Sequence, residues 1–263
     1  MRRALVSVAT TTHYHNGAHR LLKACEKFNV EAWYSTGEPT ASPKHSEVPY
    51  AFKAFAIKEA VQRGIDCILW ADASILPIRS LEPLWERIER DGYWISRNGY
   101  SNSTWTADSA YADLFKHEFG DSQVNIDQAR TLNRTIEHVV ATAFGLNVKH
   151  PKGKAFLDEY YRLASQTKAF CGPWWNEAHP DCPGHHDGNP RFSRCGPSDV
   201  RGHRHDQTAA SVIAWRLGME LTSPPDIFAY SKRRPDGTLH LSDQDQRTIL
   251  LADGSFHDGV VHA

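Results

Sequence analysis

Short runs of apolar, β-favouring residues alternate along the chain with longer segments whose apolar positions recur every three or four residues. Ala4-Leu5-Val6-Ser7-Val8-Ala9 is an apolar run of strand length, the pattern of a strand buried on both faces. Thr10 to Gly17 is polar and reads as a loop, and from Ala18 to Asn29 the residues Leu21, Leu22, Cys25 and Phe28 share one helical face. Glu31 to Thr36 reads as a second strand, closed by Gly37-Glu38-Pro39, and Thr40 to Pro49 as loop. A helix then runs from about Tyr50 to Arg63, with Phe52, Phe55, Ala56, Ala60 and Val61 inward and Gly64 as its stop. Cys67 to Ala71 is the next buried strand, with Asp72-Ala73-Ser74 at its C-terminal end. Ser80 stands where a cap belongs, ahead of Leu81, Leu84, Trp85 and Ile88, and Tyr93 to Ser96 reads as a strand.

In the second half, Ala107 to Phe119 reads as helical, Ile126 to Arg134 as a short helix, Glu137 to Asn147 as a strand and Lys152 to Gln166 as an amphipathic helix. Phe170 to His203 reads as one long loop, a length that in a compact domain usually marks function or disorder. Thr208 to Leu217 is helical, Asp226 to Tyr230 a strand, and the tail from Lys232 is hairpin-like. Strands alternating with helices predict an α/β fold with a mostly parallel central sheet flanked by helices. Ligands of such sheets lie beyond the C-terminal strand ends, which selects Thr10 to His15 and Trp70 to Ser74 before any chemistry is considered.

Composition narrows the classes. Of 263 residues, 40% are hydrophobic and 23% charged, which is globular usage. No apolar run approaches the roughly 20 residues that cross a bilayer, and the apolar run after Met1-Arg2-Arg3 is too brief for a signal peptide, so a cytoplasmic protein is expected. Lys plus Arg is 30 against 31 Asp plus Glu, which excludes a broad basic face and leaves room only for a local groove. Five cysteines read as reduced thiols. Cys171, Cys182, His185, His186 and Cys195 share one region, but without a C-x-x-C pair a structural zinc is the lesser alternative. The other reading is an acceptor-side loop in which Trp174, Trp175 and Asn176 stack on a sugar or base.

Two segments carry most of the chemistry. In Trp70-Ala71-Asp72-Ala73-Ser74 an apolar strand ends in a carboxylate and apolar Ile75-Leu76-Pro77 resumes at once. A carboxylate at such a mouth must be hydrogen-bonded or metal-bound, and it suits Mg²⁺ or Mn²⁺ beside a diphosphate. The plain alternative is a turn cap. In Gly202-His203-Arg204-His205-Asp206-Gln207-Thr208, Asp206 stands at a helix start, either as an N-cap or as a general base tuned by His205 or His203. Thr10, Thr11 and Tyr14 suit a nucleotide base and ribose. No glycine-rich phosphate loop occurs, because Gly17 stands alone. Lys53 has the reach to meet a diphosphate, although a solvated helix face is the commoner place for a lysine.

The stretch Pro49 to Ala60 followed by Ile68 to Ser74 resembles the helix, hydrophobic strand and acidic D-x-D segment of GT-A nucleotide-sugar glycosyltransferases. Leu69-Trp70-Ala71-Asp72-Ala73-Ser74 with Gly202 to Thr208 also resembles bacterial and viral GT-A-like proteins bearing L-W-x-D-A-S and G-H-R-H-D-Q-[ST]. The resemblance spans about residues 4–220. It implies one GT-A-like domain: residues 1–97 bind the nucleotide, residues 98–230 bind the acceptor, and 231–263 form a tail. It implies a nucleoside diphosphate sugar donor held by Thr10, Thr11, Tyr14, Lys53, Trp70, Asp72 and Ser74, and Mn²⁺ or Mg²⁺ on Asp72 with His257 recruited late. It places Asp206, with His205 and His203, at catalysis and Trp105, Trp174, Trp175 and Gln207 at the acceptor. Ser74 departs from the pattern, since the second Asp of D-x-D commonly touches the metal. The implied acceptor is a hydroxyl of a glycan or small carbohydrate, or of a hydroxylated base in viral DNA. The rival readings are a metal-dependent hydrolase built on His203, His205 and Asp206, and a sugar-nucleotide-binding protein without catalysis.

Overall fold

The computed structural model describes residues 1–120, 124–184, 189, 191–223, 226–233, 239–240 and 247–253. The first apolar run forms β1 (Arg3–Ala9). Helix α1 (Thr12–Lys27) begins well before Ala18, so most of the expected Thr10–Gly17 loop is helix. Thr11 is the reason: its backbone is extended and its side chain accepts the Tyr14 N–H, the arrangement of an N-cap. The polar residues Thr12, His13, Tyr14 and Asn16 occupy the exposed side of that first turn, while Gly17 and Ala18 are buried. There follow β2 (Ala32–Thr36), α2 (Ala51–Gln62), β3 (Cys67–Ala71), β4 (Ile75–Pro77), α3 (Glu82–Asp91) and β5 (Tyr93–Ser101).

The expected helix over Ala107–Phe119 is broken into a 3-10 turn (Asp108–Ala110), α4 (Tyr111–Leu114) and α5 (Lys116–Phe119), because Phe115 leaves helical backbone angles. Next come α6 (Ile126–Asn133), β6 (Glu137–Asn147) and α7 (Pro151–Gln166). The Phe170–His203 region is not a plain loop. It carries β7 (Trp175–Asn176) and β8 (Phe192–Ser193), paired in parallel. Buried Asn176 organises it: Nδ2 donates to the carbonyls of Pro197 and Val200 at 2.8 Å, and Oδ1 accepts the Cys195 N–H at 3.2 Å. Asn176 is therefore a loop brace rather than a stacking contact. Last are α8 (His205–Arg216), β9 (Phe228–Tyr230), the hairpin β10 (Lys232–Arg233) with β11 (Leu239–His240), and β12 (Leu250–Ala252).

The five-stranded sheet runs β2-β1-β3-β6-β5. β1 is parallel to β2 and β3, whereas β6 is antiparallel to both β3 and β5. A strand from the second half of the chain thus lies against β3, at whose end Asp72 emerges. Side chains alternate across the sheet as its pleat requires. Val6, Val8, Ile68 and Trp70 enter one core with Phe55 and Ile57 of α2, Phe156 and Tyr160 of α7, and Val212 and Ile213 of α8. Leu5 and Leu69 enter the other with Leu21 of α1 and Trp85 and Ile88 of α3. Among the described residues no helix is long and apolar enough to cross a membrane.

A second sheet, β4-β12-β9, braces the turn that carries Asp72. The Asp253 N–H donates to the Ser74 carbonyl at 2.8 Å, and Arg20 of α1 donates to the buried Asp253 carboxylate at 2.7 Å. Removing one partner of a buried ion pair typically costs about 3–5 kcal/mol. Asp253→Ala is therefore expected to lower the unfolding free energy by about 3 kcal/mol in a denaturant titration. A change below about 0.5 kcal/mol, the size of an ordinary surface substitution, would remove Asp253 from the brace.

Candidate functional site

The residues of α2 from Ala51 to Ile57 are all buried, Lys53 among them at 2% exposure. A lysine in a helix apolar on every side must find partners inside. Its Nζ lies 3.0 Å from Asp72 Oδ1, 3.0 Å from Asp206 Oδ2 and 3.0 Å from the Ala141 carbonyl oxygen of β6. Lys53 thus joins the end of β3 to the first turn of α8. Asp72 is fixed on its other side by the Trp70 indole, whose Nε1–H donates to Oδ1 at 2.8 Å. Asp206, at 3% exposure, also accepts the Tyr160 hydroxyl of α7 at 3.2 Å. The Lys53 ammonium faces the rings of Tyr50 and Trp70 at 5.0 and 5.6 Å, a favourable cation–π placement.

Burial opposes the charge on Lys53, but Asp206 and Asp72 outweigh it and hold the ammonium above the usual lysine range. Asp206 moves upward as well: burial, with the like charge of Asp72, outweighs Lys53 and raises its carboxyl above the ordinary carboxylate range. Two carboxylates share one ammonium, so the cluster keeps a net negative charge.

Tyr50, Lys53, Asp72, Trp174, Arg204, His205, Asp206 and Gln207 surround a cavity of about 80 Å³ beside this cluster. Ligand pockets are commonly about 300–1,000 Å³, so only the reacting end of a large ligand fits inside. Thr10, Thr11 and Tyr14 lie at the start of α1, past the C-terminal end of β1, outside this enclosed part and exposed to solvent. Ser74 lies in the turn beyond Asp72, held through its carbonyl by Asp253. Gln207 lines the cavity and donates to the Val139 carbonyl.

The two motif histidines look alike in sequence, and the structure separates them. His203 is buried behind the cavity. Its Nδ1 accepts the Ala107 N–H at 3.2 Å and its Nε2 donates to the Ala169 carbonyl at 3.0 Å, so neither nitrogen is left for a ligand. His205 lines the cavity with a left-handed backbone, φ 48°, which is uncommon for a residue other than glycine. Its Nδ1–H donates to the Phe170 carbonyl at 2.9 Å, and its buried Nε2 has no hydrogen-bond partner among the described residues. Burial pushes His203 down to about 4 and His205 down to about 2. Rings held neutral so strongly are not poised to take a proton at neutral pH.

Trp105 is 7% exposed and forms a platform rather than a rim: the Arg204 guanidinium lies 3.9 Å from its ring centroid. Arg204 also lies 5.4 Å from Trp175 and donates to the Trp174 carbonyl at 3.2 Å. Gly202 permits this approach, because a Cβ there would sit 2.1 Å from the Trp174 carbonyl oxygen. Tyr50, Arg204 and Tyr160 belong to the site although the sequence did not single them out for it. His257 lies outside the described residues, as do His185 and His186. Among the described residues no group of three or more His, Cys, Asp and Glu side chains is arranged to hold a metal. The expected divalent cation fits the donor set poorly. The point shared by the two carboxylates carries the Lys53 ammonium, and Ser74 replaces the second acidic ligand.

The buried neutral rings carry a pH signature. His138, likewise buried, is pushed down to about 3. Unfolded histidines protonate near 6.5 while these folded ones do not, so below that pH the unfolded state binds more protons. Stability is fully present above about pH 6.5 and declines as pH falls, by about 2 kcal/mol at pH 5 for His203 alone. The thermal midpoint is expected to be level from pH 7 to 8 and to fall steadily from pH 6.5 to 5; a midpoint that rises over that interval would contradict the neutral burial.

The sequence matches no family model and no curated protein. Solved structures do align with it. A glycosyltransferase involved in glycosylation of the major capsid of PBCV-1 aligns with a TM-score of 0.50 at 9% identity, over 96% of this chain and 92% of that one. The bifunctional glycosyltransferase WbbM aligns at 0.49 and 10% identity, over 99% of this chain and 46% of its own length. Mouse xyloside xylosyltransferase 1 aligns at 0.44 and 10% identity, over 88% of each chain. The chain therefore has an α/β fold, a central sheet flanked by helices, shared with the capsid glycosyltransferase.

Proposed function

We propose that the protein transfers a sugar from a nucleoside diphosphate sugar to a hydroxyl acceptor. The observation that carries this reading is the junction of Asp72 and Asp206 through Lys53 at the C-terminal edge of the sheet. That edge is where α/β sheets bind ligands, and the fold shared with a glycosyltransferase supports the same use. Thr10, Thr11 and Tyr14 offer hydroxyls and a ring to the nucleotide at the solvent-exposed start of α1. The sugar end then enters the small cavity, with Trp174 and Gln207 on its acceptor side.

In an inverting transfer, the acceptor oxygen bonds to the anomeric carbon as the bond from that carbon to the diphosphate oxygen breaks. Asp206 takes the acceptor proton, a role its raised carboxyl suits. Positive charge fixed at the cavity stabilises the departing diphosphate. The acceptor class in this reading is a glycan or small carbohydrate, with a hydroxylated DNA base as the second candidate. The hydrolase alternative requires His203 and His205 as metal ligands, and their hydrogen bonds leave one ring nitrogen between them.

The test is nucleotide release from UDP-, GDP-, CDP- and ADP-sugars with a panel of glycan acceptors. Asp206→Asn should lower turnover by about 10²–10⁴-fold, the usual worth of a general base, while nucleotide affinity changes less than about threefold. Undiminished turnover in that variant would remove Asp206 from the chemistry. Nucleotide binding without turnover on any acceptor would favour a protein that binds sugar nucleotides without catalysis.

A further inference from the structure

We infer that the cleft binds its diphosphate with protein cations alone: the Lys53 ammonium stands where a divalent ion would bridge the acidic residues, and Arg204 supplies the charge that meets the ligand. This rests on the donor-site reading above. The first support is the geometry of Lys53. All three of its N–H groups have acceptors, on Asp72, Asp206 and the Ala141 carbonyl, each at 3.0 Å. Lys53 is 2% exposed, on a helix turn buried from Ala51 to Ile57, so moving its ammonium aside would strip a buried charge of all three partners.

The second support is Asp72 itself. Trp70 and Lys53 both use Oδ1, and Lys53 approaches Oδ2 at 3.3 Å, so most of the carboxylate's acceptor capacity is spent inside the protein. Two residues on, where a second carboxylate would help hold an ion, stands Ser74. A divalent cation at this spot would share the Asp72 carboxylate with an ammonium already bonded to it.

The third support is Arg204. It lines the same cavity and rests on Trp105, and its guanidinium donates to one carbonyl, that of Trp174. No carboxylate pairs with it among the described residues, in a protein whose other partly buried arginines, such as Arg3, Arg130 and Arg216, are paired with acidic side chains. A half-buried guanidinium left without a counter-charge beside a ligand cavity is suited to an anionic group, and its planar fork matches phosphate oxygens.

Two measurements on the intact chain test this. Thermal midpoints are read with UDP, GDP, CDP and ADP, each in excess EDTA and in Mn²⁺. The expected result is that at least one nucleotide raises the midpoint equally in both conditions, and that Arg204→Gln weakens its binding at least tenfold in both. A shift seen only with Mn²⁺, or an Arg204→Gln affinity equal to wild type, overturns the inference while leaving the donor-site reading intact. No shift with any nucleotide in either condition refutes that reading, and the inference with it. Separately, the electron paramagnetic resonance signal of free Mn²⁺ should be unchanged by the wild-type protein and reduced by about one equivalent by Lys53→Ala, in which the two carboxylates lose their ammonium. Uptake of one equivalent by wild type overturns the inference whether or not the variant folds.

Discussion

One ammonium group, enclosed by protein, decides how three parts of this chain meet. Lys53 on α2 reaches the end of β3 through Asp72, the start of α8 through Asp206 and the backbone of β6 through Ala141. Taking such charges out of water costs several kcal/mol per ion, and only close pairing with full hydrogen bonding offsets it. Here the ammonium is fully bonded and the cost is carried by the carboxylates, which outnumber it. The result is a cluster that holds its members in place and leaves Asp206 more basic than an ordinary aspartate.

The rest of the site follows from that junction. β6 runs antiparallel beside β3, and just past their paired register its Ala141 carbonyl accepts from Lys53 and its Thr142 carbonyl accepts the Asp72 N–H. Helix α8 begins against the Trp174–Trp175 segment only because Gly202 has no side chain there. That contact sets Arg204 on Trp105 and turns His205 into the wall with a left-handed backbone. Thr208 completes the tie, donating its hydroxyl to the Trp105 carbonyl at 2.6 Å. Groups fixed in this way need little rearrangement when charge develops, which is how preorganised sites gain their effect.

Much of this was legible in the chain. The runs around Val6, Leu69 and Val140 announced buried strands, and Asp72 and Asp206 stood out as carboxylates where apolar strands and helices begin or end. Lys53 was harder, since lysines usually sit on wet faces. The warning was its setting, Ala51-Phe52-Lys53-Ala54-Phe55-Ala56-Ile57, which leaves no polar face at helical spacing. His203 and His205 look equivalent in sequence; in the fold both rings donate to a carbonyl, of Ala169 and of Phe170, but His203 also accepts the distant Ala107 N–H, and that contact separates them. The place of β12 beside β4, and the brace from Asp253 to Ser74, depend on pairings between distant parts of the chain, Ile75 with Ala252 among them, that no local pattern encodes. The early start of α1 was hidden for a different reason: its first turn is exposed, so polarity there looked like loop.

The most direct test of the central claim is a crystal structure grown with a nucleoside diphosphate and Mn²⁺, with anomalous scattering recorded at the manganese edge. The account predicts diphosphate density at Arg204 beside the cavity, Lys53 still joined to Asp72 and Asp206, and no manganese peak within coordination distance of Asp72. A manganese peak on the Asp72 carboxylate with Lys53 displaced, or a nucleotide bound away from this cleft, would contradict it.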